Sequence, residues 1–428
     1  MTLDFRSLRA CRSLWIFALC FAAAWPCSAA DPPSFELRDA ISAALAHNPD
    51  LGLFQFEVRA ANARKDQAAL RPAPTVGFNL EYFGGTGNFQ GVRSAEATLS
   101  LSQIIELGSK RDSRLSVATA EADTLTTARQ TAQLDVLAEV VRRFVAVAAL
   151  QEEAKLNLRA RELAERTLQA ADARVRAARA PHVELDRAAI ALERTKLEQR
   201  NALSRLDAAR RRLSAMWGAD DALLDGRPMG DARADLFCLP DVDGFDKLIV
   251  RLEANPDFLR FANEERLRDA ELRLAASQRK PDVAVTGGVR RIQGTRDVAL
   301  VASVSIPLFA GRRADSYIAE AAAKRDAIGP MREAALTRAR AQLYALYRDL
   351  RESEANVNAI EDALGPKMEE ALRETEYAFE RGRYSYLELV DAQREYLDVR
   401  RARIDAASQA QLLAAEIERL TNAPLTTP

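Results

Sequence analysis

Two carboxylates in the C-terminal part of the chain stand just after a break in a helical pattern. The break is the Arg-Gly-Arg of the segment Phe379–Tyr396 (FERGRYSYLELVDAQREY), and Glu388 and Asp391 follow it. Both acids lie in residues 387–392, where the helical pattern resumes. Acids that line a narrow space attract cations; the alternative is that they are ordinary solvated charges. A weaker copy of the segment, with Glu184 and Asp186, occurs about 204 residues earlier.

Other reactive side chains are sparse. The chain has 428 residues but only two histidines, His47 and His182, and no set of nucleophile, histidine and acid is recognisable. The sequence therefore predicts no enzyme, no metal site and no cofactor. A net charge of −1 gives no reason to expect a nucleic-acid surface. With 6% aromatic and 29% charged residues, the composition favours long helices and coiled coils over a compact α/β enzyme.

Residues 1–30 have the pattern of a cleaved secretory signal peptide. A basic start is followed by an apolar run that is too short to span a membrane, and then by small residues before Asp31. A lipid-modified cysteine at Cys20 or Cys27 is the alternative. Removal of this segment leaves Cys238 as the only cysteine, so no internal disulfide is expected. No later apolar run is long enough for a membrane-spanning helix.

The remaining chain reads as two copies of one unit, residues 31–217 and 246–428, joined by a linker or equatorial segment at 218–245. Each copy starts with a short helix and a second helix, which Asp50 is expected to cap in the first copy. Four landmarks recur in the same order at a nearly constant offset, which indicates a duplication. The pairs are His47–Asp50 with Ala254–Asp257, Arg71–Pro74 with Gln278–Pro281, Ser102–Lys110 with Ser305–Arg313, and Val183–Leu185 with Leu387–Leu389.

Each unit then changes from a helical period to a period of two. Apolar and polar residues alternate over about 74–103 and about 281–307, which predicts two β-hairpins. Strands of this kind suit a membrane β-barrel, although aromatic residues such as Phe78 and Phe89 could instead form a soluble core. Four strands cannot close a barrel, for which about eight are needed. A cyclic oligomer is therefore expected, and three chains would supply twelve strands.

Long helical segments follow the hairpins, at about 110–179 and about 313–380. At 1.5 Å per residue each would be ~100 Å long, and a return helix follows a turn. Gly329-Pro330 and Gly365-Pro366 interrupt the second segment, so a kink or bulge is expected at each. The predicted fold is mainly α with a small β part: a duplicated unit of short helix, β-hairpin and ~100 Å helical hairpin.

These features together resemble the TolC family of outer-membrane efflux proteins over about residues 35–422. The motif Gly382–Gln393 carries most of the resemblance, and Gln103–Arg111 looks like the strand-to-helix corner of the heavy-metal (cobalt–zinc–cadmium) branch. The family implies a homotrimer whose twelve-stranded β-barrel sits in outer-membrane lipid and continues as a periplasmic α-helical coiled-coil tunnel. The tunnel would dock on a periplasmic adaptor (membrane fusion) protein and, through it, on an inner-membrane efflux pump of the RND type.

The resemblance also assigns residues to a periplasmic gate at the turn of the helical hairpin. The first copy departs from the motif, because Ala178 stands where the second copy has glycine. Three-fold symmetry would make each acid a ring of like charges, so closure would need compensating cations such as Arg383 or Arg394. The candidates are Gly382, Arg383, Tyr384, Glu388 and Asp391 in the second copy and Glu184, Asp186 and Arg187 in the first.

The function predicted from the sequence is a passive exit duct of a tripartite efflux system, with metal cations as the expected cargo. It would lie in the outer membrane with a long periplasmic extension. Drug or organic-solute efflux, or type I secretion, are alternatives within the same family. A structural coiled-coil envelope protein is a further alternative, although it would have no need of two β-hairpins. The sequence does not identify the cargo, the pump or the adaptor.

Overall fold

The computed structural model describes residues 34–422, so the predicted signal peptide and its cysteines lie outside the described residues. The fold is mainly helical with a small β part, as predicted. The elements are α1 Leu37–His47, α2 Pro49–Ala69, β1 Thr75–Glu81, β2 Glu96–Ile105, α3 Lys110–Arg176, α4 His182–Ser214, β3 Leu223–Leu224, β4 Arg227–Pro228, α5 Phe245–Glu253, α6 Pro256–Ser277, β5 Val283–Ile292, β6 Asp297–Ser305, α7 Ala310–Asp326, α8 Ile328–Ala359, α9 Gly365–Glu380 and α10 Tyr386–Thr421.

The second helix of each repeat starts from a buried asparagine. The Asn48 side chain accepts hydrogen bonds from the backbone N–H groups of Asp50 and Leu51 at 3.0 and 3.1 Å. Asn255 accepts from the N–H of Asp257 at 2.8 Å. The prediction that Asp50 caps α2 was wrong. The proline at the first helical position fixes φ there, so the preceding asparagine is the cap and Asp50 lies in the first turn.

The same asparagines fasten each repeat to the end of its return helix. The amide nitrogen of Asn48 donates to the Met216 carbonyl at 2.9 Å, just beyond α4. That of Asn255 donates to the Arg419 carbonyl at 2.8 Å, near the end of α10. Carbonyls at a helix C-terminus have no partner within the helix, so these bonds satisfy groups that would otherwise be buried unpaired. Each helical hairpin is thereby closed at its base.

The four longer strands form one antiparallel sheet in the order β1-β2-β5-β6, so the two repeats join at β2 and β5. Phe78, Leu99, Val289 and Leu300 pair across the four strands in one row. This row is exposed, and Leu300 has 86% of its surface accessible. One face of the sheet is therefore apolar and uncovered within the described chain. Within residues 34–422, β1 and β6 each lack a strand partner on their outer side.

The opposite face of the sheet is polar. Arg290 on β5 donates to Thr98 at 2.9 Å and to Glu96 at 2.8 Å on β2, and it reaches Glu81 on β1 at 3.3 Å. Glu81 and Glu96 stand directly opposite each other across the two strands. Because like charges in that position repel, Arg290 holds together a pair that would otherwise weaken the sheet.

The long helices of the two repeats differ in continuity. α3 is a single helix of 67 residues, which corresponds to ~100 Å. In the second repeat α7 ends at Asp326 and α8 begins at Ile328, and a π-helical turn follows α8. The turn, Ile360–Leu364, stands directly before Gly365-Pro366. The predicted interruptions are confirmed. A proline has no N–H to donate, so the pattern of backbone hydrogen bonds in the helix changes around it.

Three clusters of buried side chains hold the helices together. The largest surrounds Phe144, which is 0% exposed and meets the Phe35 ring edge-on at 5.7 Å. Residues 218–245 pack against it, and Gln151 exchanges hydrogen bonds of 3.2 and 2.8 Å with the backbone of Ala232. A second cluster lies between α8 and α10, and a third lies at the turns of the hairpins.

Candidate functional site

The α3–α4 turn and the α9–α10 turn lie together and are called the tip. Helices α3 and α9 end in the same way. The N–H of Arg179 donates to the Arg174 carbonyl at 2.9 Å, and the N–H of Arg383 donates to the Ala378 carbonyl at 2.9 Å. This is the Schellman arrangement, which needs a left-handed residue just after the helix. That residue is Ala178 (φ 53°) in the first repeat and Gly382 (φ 75°) in the second.

The alanine at this left-handed position is expected to be strained. Ala178→Gly should stabilise the α3–α4 turn by about 0.5–1 kcal/mol, and Gly382→Ala should destabilise the α9–α10 turn by about 1 kcal/mol. Hydrogen exchange of peptides that span each turn measures both changes. Gly311→Ala is a control, since that glycine lies within α7 and a Cβ there would meet open space. Slower exchange at Gly382→Ala would contradict the argument.

Arg174 joins the two turns. Its guanidinium lies 4.4 Å from the centroid of the Phe379 ring and donates to the Tyr384 carbonyl at 3.4 Å. It is also 3.9 Å from the Glu184 carboxylate, and both side chains are largely buried. The nitrogen Nε of Arg174 and one oxygen of Glu184 have no hydrogen-bond partner within the described chain. The polar part of the joint thus consists of several long contacts and no strong hydrogen bond.

A small apolar core supports this joint. Phe379 is 1% exposed and packs with Tyr386 and Leu389 against two alanines, Ala171 and Ala188, of the first repeat. Burial raises the pKa of the Tyr386 hydroxyl above its usual value; the charge of Arg187 acts in the opposite direction and that of Glu184 adds to the rise.

Gln393, the last residue of the sequence motif, also links the repeats. It is buried, and its amide donates to the hydroxyl of Thr167 on α3 at 2.9 Å. Each repeat therefore contributes to holding the tip.

Glu388 serves as a helix cap. Its carboxylate accepts from the N–H of Ser385 at 2.6 Å and from the Ser385 hydroxyl at 2.8 Å, and the hydroxyl accepts from the N–H of Glu388 at 3.4 Å. This reciprocal arrangement is a capping box at the start of α10. The backbone hydrogen bond from Ser385, and then the side-chain bond, lower the pKa of Glu388. The acid is thus tied to the backbone on the exposed side of the tip.

Protonation of Glu388 should loosen the first turn of α10. A carboxylate whose pKa is lowered in the folded state contributes stability above its unfolded pKa of about 4.3, and that contribution is lost as pH falls through the lower folded value. We therefore expect α10 to fray at its start below about pH 4, as measured by the chemical shifts of labelled Leu387 and Leu389. Glu388→Gln keeps a residue that can cap, so it should remove most of the pH dependence without the fraying.

The other predicted residues lie on the surface of the tip. Asp391 is exposed and has no ion pair within residues 34–422. Arg394 is 3.8 Å from Asp398, and within residues 34–422 no ion pair joins it to Glu388 or Asp391. Arg383 is exposed and contacts neither acid through an ion pair in the described chain. The remaining placements are Asp186, which is 3.3 Å from His182, Tyr384, which is 44% exposed, and Arg187, which is exposed.

The chain is similar to proteins of one family. The sequence profile of the outer membrane efflux protein family matches residues 40–219, which is nearly the whole first repeat. The cobalt-zinc-cadmium resistance protein CzcC of Cupriavidus metallidurans is 26% identical over 401 residues, which cover 92% of this chain and 91% of that protein. The resemblance to outer membrane efflux proteins that the sequence indicates is confirmed. The chain is an outer-membrane efflux channel, with the TolC-like fold expected from the sequence.

Solved structures share the fold of this efflux protein. A membrane protein from Pseudomonas aeruginosa superimposes with a TM-score of 0.73 at 20% identity and covers 91% of both chains. CusC superimposes with a TM-score of 0.72 at 14% identity, covering 91% of this chain and 92% of its own. The matched relatives are channel and efflux proteins rather than enzymes.

Two further properties of the efflux protein concern membranes and metals. None of the helices within residues 34–422 is both long enough and apolar enough to cross a membrane. In the same part of the chain, no three histidine, cysteine, aspartate or glutamate side chains come together as a metal site would require.

Sequence reasoning missed the residues that hold the tip of this efflux protein together. Arg174 is one of many arginines in α3, and nothing local distinguishes it. Phe379 could have been found, because it lies seven residues after Leu372 and both are buried on one face of α9. The spacing Ser385-x-x-Glu388 is a readable capping signal that the interpretation of Glu388 as a gate residue passed over.

Proposed function

We propose that this efflux channel is the passive outer-membrane duct for divalent transition-metal cations. The observation that carries the proposal is the likeness to a cobalt-zinc-cadmium resistance protein along more than nine-tenths of both chains. A duct must let its cargo leave, and tight chelation would slow passage. Within residues 34–422, no three histidine, cysteine, aspartate or glutamate side chains form a metal cluster, which is compatible with such a role.

The assembly we propose is a homotrimer. The sheet has an exposed apolar face, a polar face and two free edges, β1 and β6. Pairing β6 of one copy with β1 of the next satisfies both edges, and three copies give the twelve strands expected from the sequence. The apolar row would then face lipid, and Arg290 with its two glutamates would face the interior. Closure removes the unpaired backbone groups that a membrane cannot tolerate.

The tip is proposed as the gate and as the surface that meets a periplasmic adaptor, which connects to an inner-membrane pump of the RND type. Support comes from the loose joint around Arg174, where contacts of 3.4 and 3.9 Å leave buried polar atoms without partners. In a trimer Asp391 would form a ring of three charges, which favours cations and resists closure. Removal of a few contacts by an adaptor would therefore widen the passage.

The cargo is tested by complementation of a strain that lacks this gene. Intact protein should restore resistance to zinc, cobalt and cadmium and lower the cellular content of these metals, with matched assays for detergents and dyes. Detergent extraction of the outer-membrane fraction should yield a trimer. Rescue of drug resistance without metal resistance would favour a drug duct of the same family. A monomer in the soluble periplasmic fraction would refute a duct of either kind.

A further inference from the structure

A cavity of about 660 Å³ lies between α6 and α7, directly beside the sheet. Asp282 at its edge immediately precedes β5, and Pro307 and Leu308 follow the end of β6 by two and three residues. At about 3.3 Å per residue, these residues lie within ~10 Å of the strand ends. The polar headgroup layer of a bilayer is about 5–8 Å thick on each side of the hydrocarbon. If the strands cross the membrane, the cavity opens at the depth of the periplasmic headgroups.

The floor of the cavity is formed by small or apolar side chains. α7 contributes Ala310 and Ala314, which is 2% exposed, and α6 contributes Leu274 and Ala275. The corresponding groove of the first repeat, between α2 and α3, is bridged by arginines. There Arg111 donates to the Ala69 carbonyl at 2.6 Å.

Arg114 adds a second bridge in the first repeat. It donates to the Leu70 carbonyl at 3.2 Å and is paired with Glu106. In the second repeat Ala310 and Ala314 of α7 line the cavity, and the arginine bridge from Arg279 to Asp315 at 2.8 Å lies outside its lining, so the space stays open.

A charged side chain is buried in the wall of the cavity. Lys110 is 5% exposed, and its ammonium group donates to Asp282 at 2.7 Å. An ammonium has three donors, and within residues 34–422 Asp282 is the only acceptor that Lys110 reaches. A buried cation is costly unless its remaining donors are satisfied. An anionic group in the cavity would supply the missing acceptors.

The rim of the cavity carries an excess of positive charge. Each of its carboxylates has an ion pair: Asp282 with Lys110, Glu320 with Lys324, and Glu271 with Arg268, which also pairs with Glu264. Two further cations of the lining have no carboxylate partner in the described part of the chain. These are Lys280 and Arg313.

We propose that this cavity binds an anionic glycerophospholipid of the periplasmic leaflet. The phosphodiester would lie between Lys280, Arg313 and the free donors of Lys110, since charge-assisted bonds to phosphate oxygens are strong. One acyl chain would cover the floor and contact Leu308 and Tyr317, which are 73% and 64% exposed. The volume lies in the range of small-molecule sites, about 300–1,000 Å³. The lipid would fill the seam between sheet and tunnel, because the Arg279–Asp315 pair of the second repeat lies outside the cavity lining and does not close it.

Native mass spectrometry of the purified full-length trimer can test the site. The protein is mixed with equal amounts of phosphatidylglycerol and phosphatidylcholine, and bound lipids are counted. We expect phosphatidylglycerol to be retained in large preference. Arg313→Gln with Lys280→Gln should abolish the preference, and Ala314→Leu should reduce retention of both lipids by filling the floor. Arg312→Gln removes the adjacent arginine, which does not line the cavity, and should leave retention unchanged.

Several outcomes would overturn the proposal. Equal retention of the two lipids by the unmodified protein would show that the cations do not select an anion. Full displacement of lipid by inorganic phosphate would assign the site to a free anion. Loss of the trimer in Ala314→Leu with lipid retention unchanged would assign this surface to a neighbouring copy. The proposal rests on the outer-membrane location and on a membrane-crossing sheet, but not on the cargo, so failure of the metal-resistance assay would leave it standing.

Discussion

Phe379→Ala is expected to open the tip while the rest of the molecule stays folded. Phe379 is 1% exposed and is the largest fully buried side chain in the small core at the two turns. Truncation of a buried phenylalanine costs about 3–5 kcal/mol, and it also removes the ring beneath the Arg174 guanidinium. Since about 1.4 kcal/mol corresponds to a tenfold change in an equilibrium, opened tips should become more than about a hundredfold more populated. The resting conductance in planar bilayers should rise accordingly.

Phe144→Ala provides the matched control for this experiment. Phe144 is also fully buried, but it lies in the largest cluster, far along α3 from the tip. Its truncation should lower global stability by a similar amount and leave the resting conductance unchanged. Hydrogen exchange should accelerate in the turns for Phe379→Ala and around α1 and the middle of α3 for Phe144→Ala. A conductance rise of equal size in both variants would mean that the tip core has no special part in gating.

The features that could be predicted from the sequence are those set by local periodicity and by proline. The alternation of Val76, Phe78 and Leu80 with polar neighbours appears as a strand with one exposed apolar face. Gly329-Pro330 and Gly365-Pro366 mark the two places where the second long helix is interrupted. Both features depend on only a few neighbouring residues. Alternate side chains of a strand point to opposite faces, and a proline removes one backbone N–H donor from a helix.

The contacts that could not be predicted join residues far apart in the chain. The pairing of Leu99 with Val289 fixes how the repeats meet in the sheet, and it spans about 190 residues. Arg174 was not singled out because its partners, Phe379 and the Tyr384 carbonyl, lie about 200 residues away. Glu388 was interpreted as a gate residue from its charge alone, and its local hydrogen bond with Ser385 was not predicted. This bond makes Asp391 the acid whose charge is more available to a passing ion.

Asp391→Asn is therefore expected to have the larger effect on ion selectivity. Asp391 is exposed without an ion pair in residues 34–422, and in the proposed trimer it recurs as three charges around one passage. Removal of this ring should shift the reversal potential in a potassium chloride gradient towards zero. Glu388→Gln should change it less, because this carboxylate is tied to the backbone at 2.6 Å. The double variant Asp391→Asn with Glu388→Ala should also raise conductance, because loss of the Glu388 carboxylate frays the first turn of α10.

Salt concentration separates a charge effect from a change in shape. The Debye length is about 30 Å at 0.01 M and about 3 Å at 1 M salt, so the difference between Asp391→Asn and the unmodified channel should fade as salt rises. A wider pore would persist at all concentrations. Asp398→Asn is the matched control, one heptad along the same face of α10. Arg394 and Arg401 lie 3.8 and 3.7 Å from Asp398 and already compensate its charge. An equal selectivity change in both variants would count against an acidic gate at Asp391.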